Sequence, residues 1–288
     1  MSGERNTIYV EDAEVISHVA HAAAQFVLRL HAPRCAGSAR PGSFVHVRCD
    51  ASLPMRRPYS IMRASPREGW IELLYKIVGI GSRALSQRSA GERVNVMGPI
   101  GRPFEPKRER PRALLIGGGV GIPPMIFLAE RLAAEPGWQP LVLMGSEVPF
   151  PFALERGAMP VPGMPETATA AIGLLEEWRV PSRLASGAGQ RDCYRGFVTD
   201  LARAWLATLD ERSRSEVEIY ACGPMAMLAA TARLAREFDL PCQVALEELM
   251  ACATGGCAGC AVRVQTPDGP AMKKVCVEGP VFDAAQVF

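Results

Sequence analysis

The sequence predicts a multi-domain protein: an N-terminal antiparallel β-barrel, a central α/β domain with a parallel sheet, and a small C-terminal module. Three observations predict it. Short apolar runs between Gly and Pro turns fill residues 1–108, which is typical of small closed barrels. Between 109 and 240, apolar strands alternate with helical periodicity, which favours a parallel sheet. Residues 241–288 contain a closely spaced set of cysteines.

The barrel segment contains five predicted strands. They are Val15–Val19, Gln25–His31, Phe44–Arg48, Ile71–Val78 and Arg93–Met97. Phe44–Arg48 shows the clearest alternation of apolar with polar or basic side chains, directly after the turn Pro41-Gly42. The segment Arg102–Pro111 is charged and holds three prolines, so we expect a linker there.

The sequence of the central segment predicts alternating strands and helices. The predicted strands are Ala113–Ile116, Leu141–Met144 and Glu218–Ala221. The predicted helices are Pro123–Ala134, Phe197–Leu209 and one that begins near Pro224. In the second helix, Phe197, Leu201, Trp205 and Leu209 follow the spacing of an apolar helix face.

The bulk composition excludes several classes of function. Hydrophobic residues make up 48% of the 288 residues and charged residues 22%, as in globular proteins of two or three domains. The net charge of +2 gives no electrostatic case for a nucleic-acid partner. No apolar run approaches the ~18 residues of a membrane span, and the opening M-S-G-E-R-N has no apolar signal core. We therefore expect a cytoplasmic protein without a membrane partner.

The C-terminal cysteines carry the strongest functional signal. Cys252, Cys257, Cys260 and Cys276 follow the spacing C-x4-C-x2-C…C, which holds a [2Fe–2S] cluster in plant-type ferredoxins. Four thiolates are needed because each iron takes two protein sulfurs. The intervening glycines let the loop wrap the cluster and aim N–H groups at its sulfurs. The alternatives are structural cysteines or a zinc site, but zinc sites usually show two C-x2-4-C pairs.

Two motifs of the barrel segment indicate a flavin site. Arg57-Pro58-Tyr59-Ser60, which we place at the end of a barrel strand, offers a guanidinium for a pyrophosphate. The same motif offers an aromatic face for the flavin ring and a hydroxyl for a ring nitrogen. Farther on, Val78–Ser82 (V-G-I-G-S) can present N–H groups to a phosphate at a helix start. Taken alone, R-P-Y-S favours a surface turn with a stacked Tyr, and it is the downstream segments that favour the flavin.

Two turns of the central segment indicate a nucleotide site. Gly117–Gly121 (G-G-G-V-G) follows a strand and precedes a helix, so its backbone can approach a pyrophosphate. The pattern is not G-x-G-x-x-G, and a plain strand-to-helix turn is the alternative. Cys222-Gly223-Pro224 ends another strand, where the thiol can touch a nicotinamide ring, although a buried free Cys is common in any sheet. The predicted nucleotide contacts are Gly118, Gly119, Gly121, Cys222, Gly223 and Pro224.

The choice between NAD and NADP depends on the end of the second central strand. Glu147 follows Leu141–Met144 closely, and a carboxylate there binds a ribose 2′-OH and repels a 2′-phosphate. This favours NAD. Arg156 lies near enough in sequence to weaken the argument.

Taken together, these motifs resemble the ferredoxin-reductase superfamily, and within it the electron-transfer subunits of NAD-linked dihydroorotate dehydrogenase. Two sequence segments support this resemblance: L-E-E-L-M-A-C-A-T-G-G-C-A-G-C (Leu246–Cys260) and K-K-V-C-V-E-G-P-V-F (Lys273–Phe282). The resemblance covers essentially the whole chain, and the cluster module is C-terminal in both. One departure is S-G-A-G (Ser186–Gly189), where the family often has acidic residues.

The resemblance implies FAD on the barrel, NAD(H) on the α/β domain and a [2Fe–2S] cluster held by the four cysteines already named. It also implies an FMN-containing catalytic subunit that oxidises dihydroorotate in pyrimidine biosynthesis, in a heterotetramer with two copies of each chain. The FAD contacts that it implies are Arg57, Pro58, Tyr59, Ser60, Leu74, Tyr75, Lys76, Gly81 and Ser82.

The implied activity is oxidoreductase electron transfer, because flavin converts between one-electron and two-electron carriers. Electrons would run from dihydroorotate through the partner FMN, the cluster and FAD to NAD+. One alternative is an NAD(P)H-linked subunit of a hydrogenase, sulfur reductase or ferredoxin transhydrogenase. Another is a redox-sensing cluster protein, which would carry no flavin and would therefore differ in its visible spectrum.

Overall fold

The computed structural model describes residues 8–288, so the opening M-S-G-E-R-N lies outside the described residues. The N-terminal part is a closed antiparallel barrel, as the sequence predicts, with six strands rather than the five expected. The strands are β1 (Tyr9–His21), β2 (Gln25–His31), β3 (Phe44–Arg48), β4 (Arg57–Ser65), β5 (Trp70–Lys76) and β6 (Arg93–Ile100). Their order around the barrel is β1-β2-β5-β4-β3-β6. Two short helices, α1 (Pro33–Ser38) and α2 (Ile80–Leu85), connect them.

The barrel corrects several sequence expectations. The bounds of β2 and β3 are as predicted, whereas β1 extends well beyond Val15–Val19 at both ends. R-P-Y-S begins β4 rather than ending a strand, and β4 itself was missed. Pro58 explains the miss, because proline within an apolar run argues against a strand unless it lies near an end.

The central part is a six-stranded sheet in the order β11-β8-β7-β12-β13-β16. Its parallel strands are β7 (Arg112–Gly118), β8 (Leu141–Ser146), β11 (Ser182–Ser186), β12 (Val217–Cys222) and β13 (Cys242–Ala245). A separate hairpin is formed by β9 (Leu154–Arg156) and β10 (Ala170–Ile172). The helices are α3 (Ile122–Ala133), α4 (Gly173–Glu177), α5 (Val198–Thr208), α6 (Glu211–Ser215) and α7 (Met225–Glu237). The predicted parallel sheet is confirmed, with helix bounds within one or two residues of those expected.

The C-terminal part consists of a hairpin, two short helices and one strand that joins the central sheet. The elements are β14 (Ala261–Thr266), β15 (Gly269–Lys274), α8 (Val275–Glu278), β16 (Val281–Asp283) and α9 (Ala284–Val287). β16 pairs antiparallel with β13, with Val244 opposite Phe282. The sequence did not reveal β13 or β16, because strands this short carry no readable periodicity. Among residues 8–288, no helix is both long and apolar enough to cross a bilayer.

The expected linker, Arg102–Pro111, is irregular but packed between the other parts. The Arg102 N–H donates to the carbonyl of Gly279 at 2.6 Å, which ties the linker to the C-terminal module. Phe104 is buried, and its ring meets that of Tyr220 edge-on at 5.9 Å. The segment therefore holds barrel, sheet and C-terminal module together.

Arg63 on β4 links the barrel to the α/β domain. Its guanidinium donates to Glu130 of α3 at 2.7 and 2.9 Å and lies 3.6 Å from Glu72. It also stands over the rings of Trp70 and Trp178. The side chain is only 21% exposed, so these charged contacts are screened less than surface ion pairs.

We expect Arg63→Ala to lower the free energy of unfolding by about 2–3 kcal/mol, because it removes charge-assisted bonds and cation–π contacts together. Urea unfolding of the purified protein measures this change. The matched control is Arg131→Ala, because Arg131 is 68% exposed and pairs with Glu135 one turn away; it should change stability by less than about 0.5 kcal/mol. Equal losses in the two variants would contradict this role for Arg63.

Candidate functional site

All three parts of the chain meet at one cavity of about 680 Å³. The barrel contributes one wall, and the α/β domain contributes Val120, Pro124 and Cys222. The segment Ala245–Met250 and Pro280 contribute a third. All nine residues expected to contact FAD line this cavity: Arg57, Pro58, Tyr59, Ser60, Leu74, Tyr75, Lys76, Gly81 and Ser82. The fold therefore assembles three separate sequence motifs into one concave surface.

Arg57 and Gly81 bring two of the motifs into direct contact. A Cβ on Gly81 would lie 2.9 Å from Nε of Arg57, so the glycine leaves the space that the Arg57 side chain occupies. The Arg57 guanidinium donates to the backbone carbonyl groups of Met55 and Arg56 at 2.9 and 3.0 Å. This fixes a positive charge at the cavity wall, where a pyrophosphate can be neutralised.

The Ser82 hydroxyl shapes the V-G-I-G-S turn. It accepts hydrogen bonds from the N–H groups of Val78 and Gly79 at 2.9 and 3.1 Å, and it donates to the carbonyl of Gly79. The turn is therefore closed on itself at the start of α2. The Ser82 side-chain oxygen forms its hydrogen bonds within the loop, and Gly81 and Ser82 line the cavity.

Two tyrosines form an uncharged aromatic wall. The ring centroids of Tyr59 and Tyr75 lie 5.3 Å apart, and burial raises the pKa of both phenols well above the usual range. The Tyr75 hydroxyl is 2.8 Å from Nε2 of His18, whose Nδ1 lies 2.7 Å from the carbonyl of Arg88. A carbonyl only accepts, so Nδ1 donates and Nε2 accepts from Tyr75 in the neutral ring. Tyr75 is only 2% exposed, so the partly buried Tyr59 supplies the neutral ring surface of the kind that packs against a flavin.

The glycine turns of the α/β domain meet at the point where the strand order reverses. β7 and β12 are adjacent, with Gly117 paired to Cys222, and ligands of open α/β sheets bind at such a point. A Cβ on Gly121 would lie 2.4 Å from the backbone of Cys222 and Gly223. A Cβ on Gly118 would lie 2.4 Å from Sδ of Met227. These glycines thus let two turns pack together beside the cavity.

Cys222 is buried at this junction, and Glu247, an exposed residue, lines the same cavity. Burial raises the pKa of the Cys222 thiol well above its ordinary value, and the charge of Glu247 raises it further. Desolvation at the cavity wall raises the pKa of the Glu247 carboxyl. Sequence reasoning singled out Cys222 but missed Glu247. The only available signal was its place in L-E-E-L-M, directly before the cysteine motif.

The four predicted cluster ligands lie on one loop and one short helix. Sγ of Cys260 and Sγ of Cys276 are 3.3 Å apart. Sγ of Cys252 accepts hydrogen bonds from the N–H groups of Cys257 and Thr254 at 3.4 and 3.5 Å. These hydrogen bonds lower the pKa of Cys252 to about 6, and the bond from the Thr254 N–H has the largest effect. Such a thiol is ionised at neutral pH and suits metal ligation.

Two of the four predicted ligands are in contact. A [2Fe–2S] cluster needs two thiolates on each iron, and Sγ of Cys260 and Sγ of Cys276 form such a pair. Among residues 8–288, no three or more His, Cys, Asp or Glu side chains are grouped closely enough to hold a metal ion. Ala253, Gly255 and Ala258 have positive φ angles, which turn loop N–H groups inward. Gly259 donates to Sγ of Cys257 at 3.5 Å.

Two family models match the chain in separate regions. Residues 9–104 match the oxidoreductase FAD-binding domain. Residues 247–288 match the iron–sulfur cluster binding domain of dihydroorotate dehydrogenase B. The barrel is thus an FAD-binding domain and the C-terminal part an iron–sulfur domain, as the motifs predicted.

Curated relatives resemble the chain over nearly its full length. The dihydroorotate dehydrogenase B (NAD(+)) electron transfer subunit of Desulforamulus reducens is 32% identical over 280 residues, covering 96% of this chain and 98% of the relative. The subunit of the same name from Bacillus caldolyticus is 34% identical, covering 86% of each chain.

Solved structures show the same architecture. A structure of an NADH-dependent reduced ferredoxin–NADP oxidoreductase aligns over 100% of this chain and 91% of its own, with 27% identity and a TM-score of 0.76. A ferredoxin reductase of carbazole 1,9a-dioxygenase aligns over 81% of this chain and 67% of its own, with 23% identity and a TM-score of 0.64; at that identity it bears on the fold alone. From the barrel, the sheet, the cysteine module and these full-length relatives, we conclude that the chain is a member of the family of dihydroorotate dehydrogenase B (NAD(+)) electron transfer subunits.

Proposed function

We propose that this chain passes electrons from an FMN-containing dihydroorotate dehydrogenase subunit, through a [2Fe–2S] cluster and FAD, to NAD+. One observation carries the proposal: the cavity wall ends at Met250, and the first cluster cysteine, Cys252, follows after a single intervening residue. Flavin cavity and cluster loop are therefore consecutive on the chain. Bound FAD supplies the exchange between hydride and single electrons, and the cluster supplies one-electron transfer.

The cavity residues have distinct roles in this proposal. Arg57 would neutralise the pyrophosphate of FAD, and Tyr59, whose ring packs on that of Tyr75, would hold an uncharged ring against the isoalloxazine, while Tyr75 would line the FAD site. The hydroxyl of Ser60 offers a hydrogen bond to a ring nitrogen. Leu74, Lys76, Gly81 and Ser82 complete the FAD contacts. On the other side, the neutral Cys222 thiol lies at the nicotinamide position, and Gly118, Gly119, Gly121, Gly223 and Pro224 bind the nucleotide backbone. The cluster ligands are Cys252, Cys257, Cys260 and Cys276.

Glu247 is an acidic residue of the cavity wall. Desolvation raises its pKa, so its carboxyl stays protonated to a higher pH than an ordinary Glu. A bound flavin would gain negative charge on reduction, and a protonated Glu247 would oppose that charge less than a carboxylate does. The rate of flavin reduction by NADH should therefore fall as pH rises through the Glu247 pKa.

We expect Glu247→Gln to abolish that fall, because Gln mimics the protonated acid at every pH. At alkaline pH the variant should be faster than the wild type, by a small factor because solvent screens an exposed carboxylate. Stopped-flow flavin reduction across the pH range measures this. Glu248→Gln is the matched control, since Glu248 also lines the cavity. Identical pH profiles for wild type and Glu247→Gln would contradict the role.

Further parts of the proposal concern assembly and organisation. We place the chain in the cytoplasm, in a heterotetramer with two copies of each subunit and no membrane or nucleic-acid partner. We divide it into an FAD-binding barrel (1–108), an NAD-binding α/β domain (109–240) and a cluster module (241–288). β13 (Cys242–Ala245) pairs with β12, so the last strand of the central sheet lies just beyond the 240 boundary.

Reconstitution with the catalytic subunit tests the proposed function. The isolated chain, loaded with FAD and cluster, should reduce dyes with NADH but should not oxidise dihydroorotate. Added catalytic subunit should establish dihydroorotate-dependent reduction of NAD+. Oxidation of dihydroorotate by the pure chain would refute the division of labour, as would a failure of the two subunits to form a complex that reduces NAD+.

A second candidate is a subunit that exchanges electrons between NAD(P)H and ferredoxin. The observation that favours it is the match to the ferredoxin–NADP oxidoreductase structure over the whole of this chain. In that case reduced ferredoxin, rather than the dihydroorotate dehydrogenase subunit, would drive NAD+ reduction in the same assay.

A further inference from the structure

Lys274 lies at the end of β15, and its side chain reaches the loop that carries two of the predicted cluster ligands. Its Nζ donates a hydrogen bond to the carbonyl oxygen of Gly255 at 3.1 Å. Gly255 lies between Cys252 and Cys257 in the chain. The proposed function gives the four cysteines a role but leaves this lysine without one.

The backbone of Lys274 is fixed on both sides. Lys274 pairs with Ala261 in the β14–β15 hairpin. The next N–H, that of Val275, donates to the carbonyl of Cys260 at 3.0 Å. The N–H of Lys274 itself donates to Oε2 of Glu278 at 2.7 Å. The ammonium group therefore extends toward the loop from a rigid support.

This one residue connects the segments that carry all four predicted ligands. Its strand pairing and the adjoining backbone bond place it beside Cys260. Cys276 follows two residues later in the chain, on α8. The loop carbonyl that its ammonium group binds belongs to the stretch between Cys252 and Cys257. A single side chain thus bridges the loop and the hairpin end.

The stretch around Gly255 has few other ties. Gly255 has a φ of +87°, and a Cβ there would lie 2.7 Å from Cγ2 of Val277, so the turn packs closely on the residue after Cys276. In the described part of the chain, the bond from Lys274 is the hydrogen bond that joins residues 252–257 to another segment. The stretch would be held much less firmly without it.

Lys274 also brings a positive charge to a loop that has none of its own. Residues 251–259 contain no charged side chain. Lys274 is partly buried, so its charge is screened less than that of a fully exposed lysine. Glu278, bound to the Lys274 backbone, offsets part of this charge. Reduction of a [2Fe–2S] cluster adds one negative charge, which a nearby cation stabilises.

We propose that Lys274 holds the cysteine loop in its ligating form and raises the reduction potential of the [2Fe–2S] cluster. The inference rests on the proposed function, because it takes the four cysteines as the ligands of that cluster. Lys274 is a positioning residue that acts through its bond to Gly255 and through its charge, and not as a ligand. A higher potential favours the entry of electrons from the catalytic subunit.

Three substitutions separate the charge from the hydrogen bond. Lys274→Arg keeps both, Lys274→Gln keeps an N–H donor without the charge, and Lys274→Met loses both. EPR-monitored redox titration of the chain loaded with FAD and cluster measures the potential. In the Gln and Met variants, the ratio of reduced to oxidised cluster at a fixed potential should fall about fivefold, the order expected of one partly screened charge. That fall is about 40 mV, at about 59 mV per tenfold for a one-electron couple. Lys274→Arg should match the wild type.

Iron release to a chelator measures how firmly the loop is held. Lys274→Met should release iron about tenfold faster than wild type, as loss of a residue that supports metal ligands does. Lys274→Gln should release it more slowly than Lys274→Met. Wild-type release from Lys274→Met would overturn the positioning role. If Lys274→Met retains no iron, the potentials of the Gln and Arg variants still decide the effect of the charge.

Lys273→Gln is the matched control. Lys273 precedes Lys274 on β15, where it pairs with Val262, and successive strand residues point to opposite faces. This variant loses the same charge and should change the ratio less than about twofold. Equal shifts in Lys273→Gln and Lys274→Gln would overturn the inference, as would a wild-type potential in Lys274→Gln. Either result, with a wild type that shows the reduced [2Fe–2S] signal, leaves the proposed function intact. If the wild type shows no such signal, both fall together.

Discussion

Cys276→Ser is expected to remove the iron–sulfur cluster and stop electron transfer between the catalytic subunit and NAD+. Cys276 is buried and lies 3.3 Å from Sγ of Cys260, so its loss destroys the contacting pair that one iron requires. The fall in dihydroorotate-dependent NAD+ reduction should exceed about 100-fold, the upper end of what changes outside a ligand set cause. Iron content and the visible spectrum report the cluster directly.

NADH-driven dye reduction separates this effect from unfolding. The FAD cavity is lined by other residues, so Cys276→Ser should keep most of that activity. Cys35→Ala is the matched control, since Cys35 is also a buried thiol but packs in the barrel core. It should retain the cluster and full electron transfer. A Cys276→Ser protein with two irons per chain would contradict the ligand assignment.

The second large effect is expected for Gly121→Ala. The added Cβ would lie 2.4 Å from the carbonyl carbon and oxygen of Cys222 and from N of Gly223. These are backbone atoms, so no side-chain rotation relieves the clash and the two turns must separate. Overpacking of this kind costs about 1–3 kcal/mol of stability. A displacement of about 1 Å at a reacting junction costs about 100-fold in rate, and we expect NADH-driven flavin reduction to fall by that factor.

Stopped-flow reduction by NADH and urea unfolding measure the two parts of the Gly121 effect. Gly37→Ala is the control, because no atom lies within 4 Å of a Cβ at that position. It should leave the rate of NADH reduction unchanged and should not lower the stability. Full-rate NADH reduction in Gly121→Ala would mean that the contact between the two turns is not needed for hydride transfer.

The site motifs were readable from sequence because each is local. Each motif consists of chemically distinctive residues that are close together in the chain, so a short stretch of sequence is enough to find it. The motifs are R-P-Y-S, G-G-G-V-G and the cysteine spacing. The fold class followed from the change in apolar periodicity near residue 109. Full-length relatives then confirmed the family that these motifs together indicated.

What the sequence did not reveal depends on tertiary contacts. Glu247 is an ordinary acidic residue in the sequence, and only the meeting of three chain segments places it on the cavity wall, where desolvation raises its pKa. Pro58 concealed β4, and the three-residue β16 shows no periodicity before it pairs with β13. Phe197 has the spacing of a buried helix residue, but it precedes α5 and is 78% exposed, and Val198 takes the buried position.

The central claim is that the cysteine loop holds a redox cluster in electronic contact with the flavin cavity. Anaerobic addition of NADH to the loaded chain, followed by low-temperature EPR and iron analysis, tests it most directly. We predict two irons per chain and a reduced [2Fe–2S] signal that forms together with flavin bleaching. Flavin bleaching in a protein whose iron stays EPR-silent, even after the catalytic subunit is added with dihydroorotate, would contradict the account.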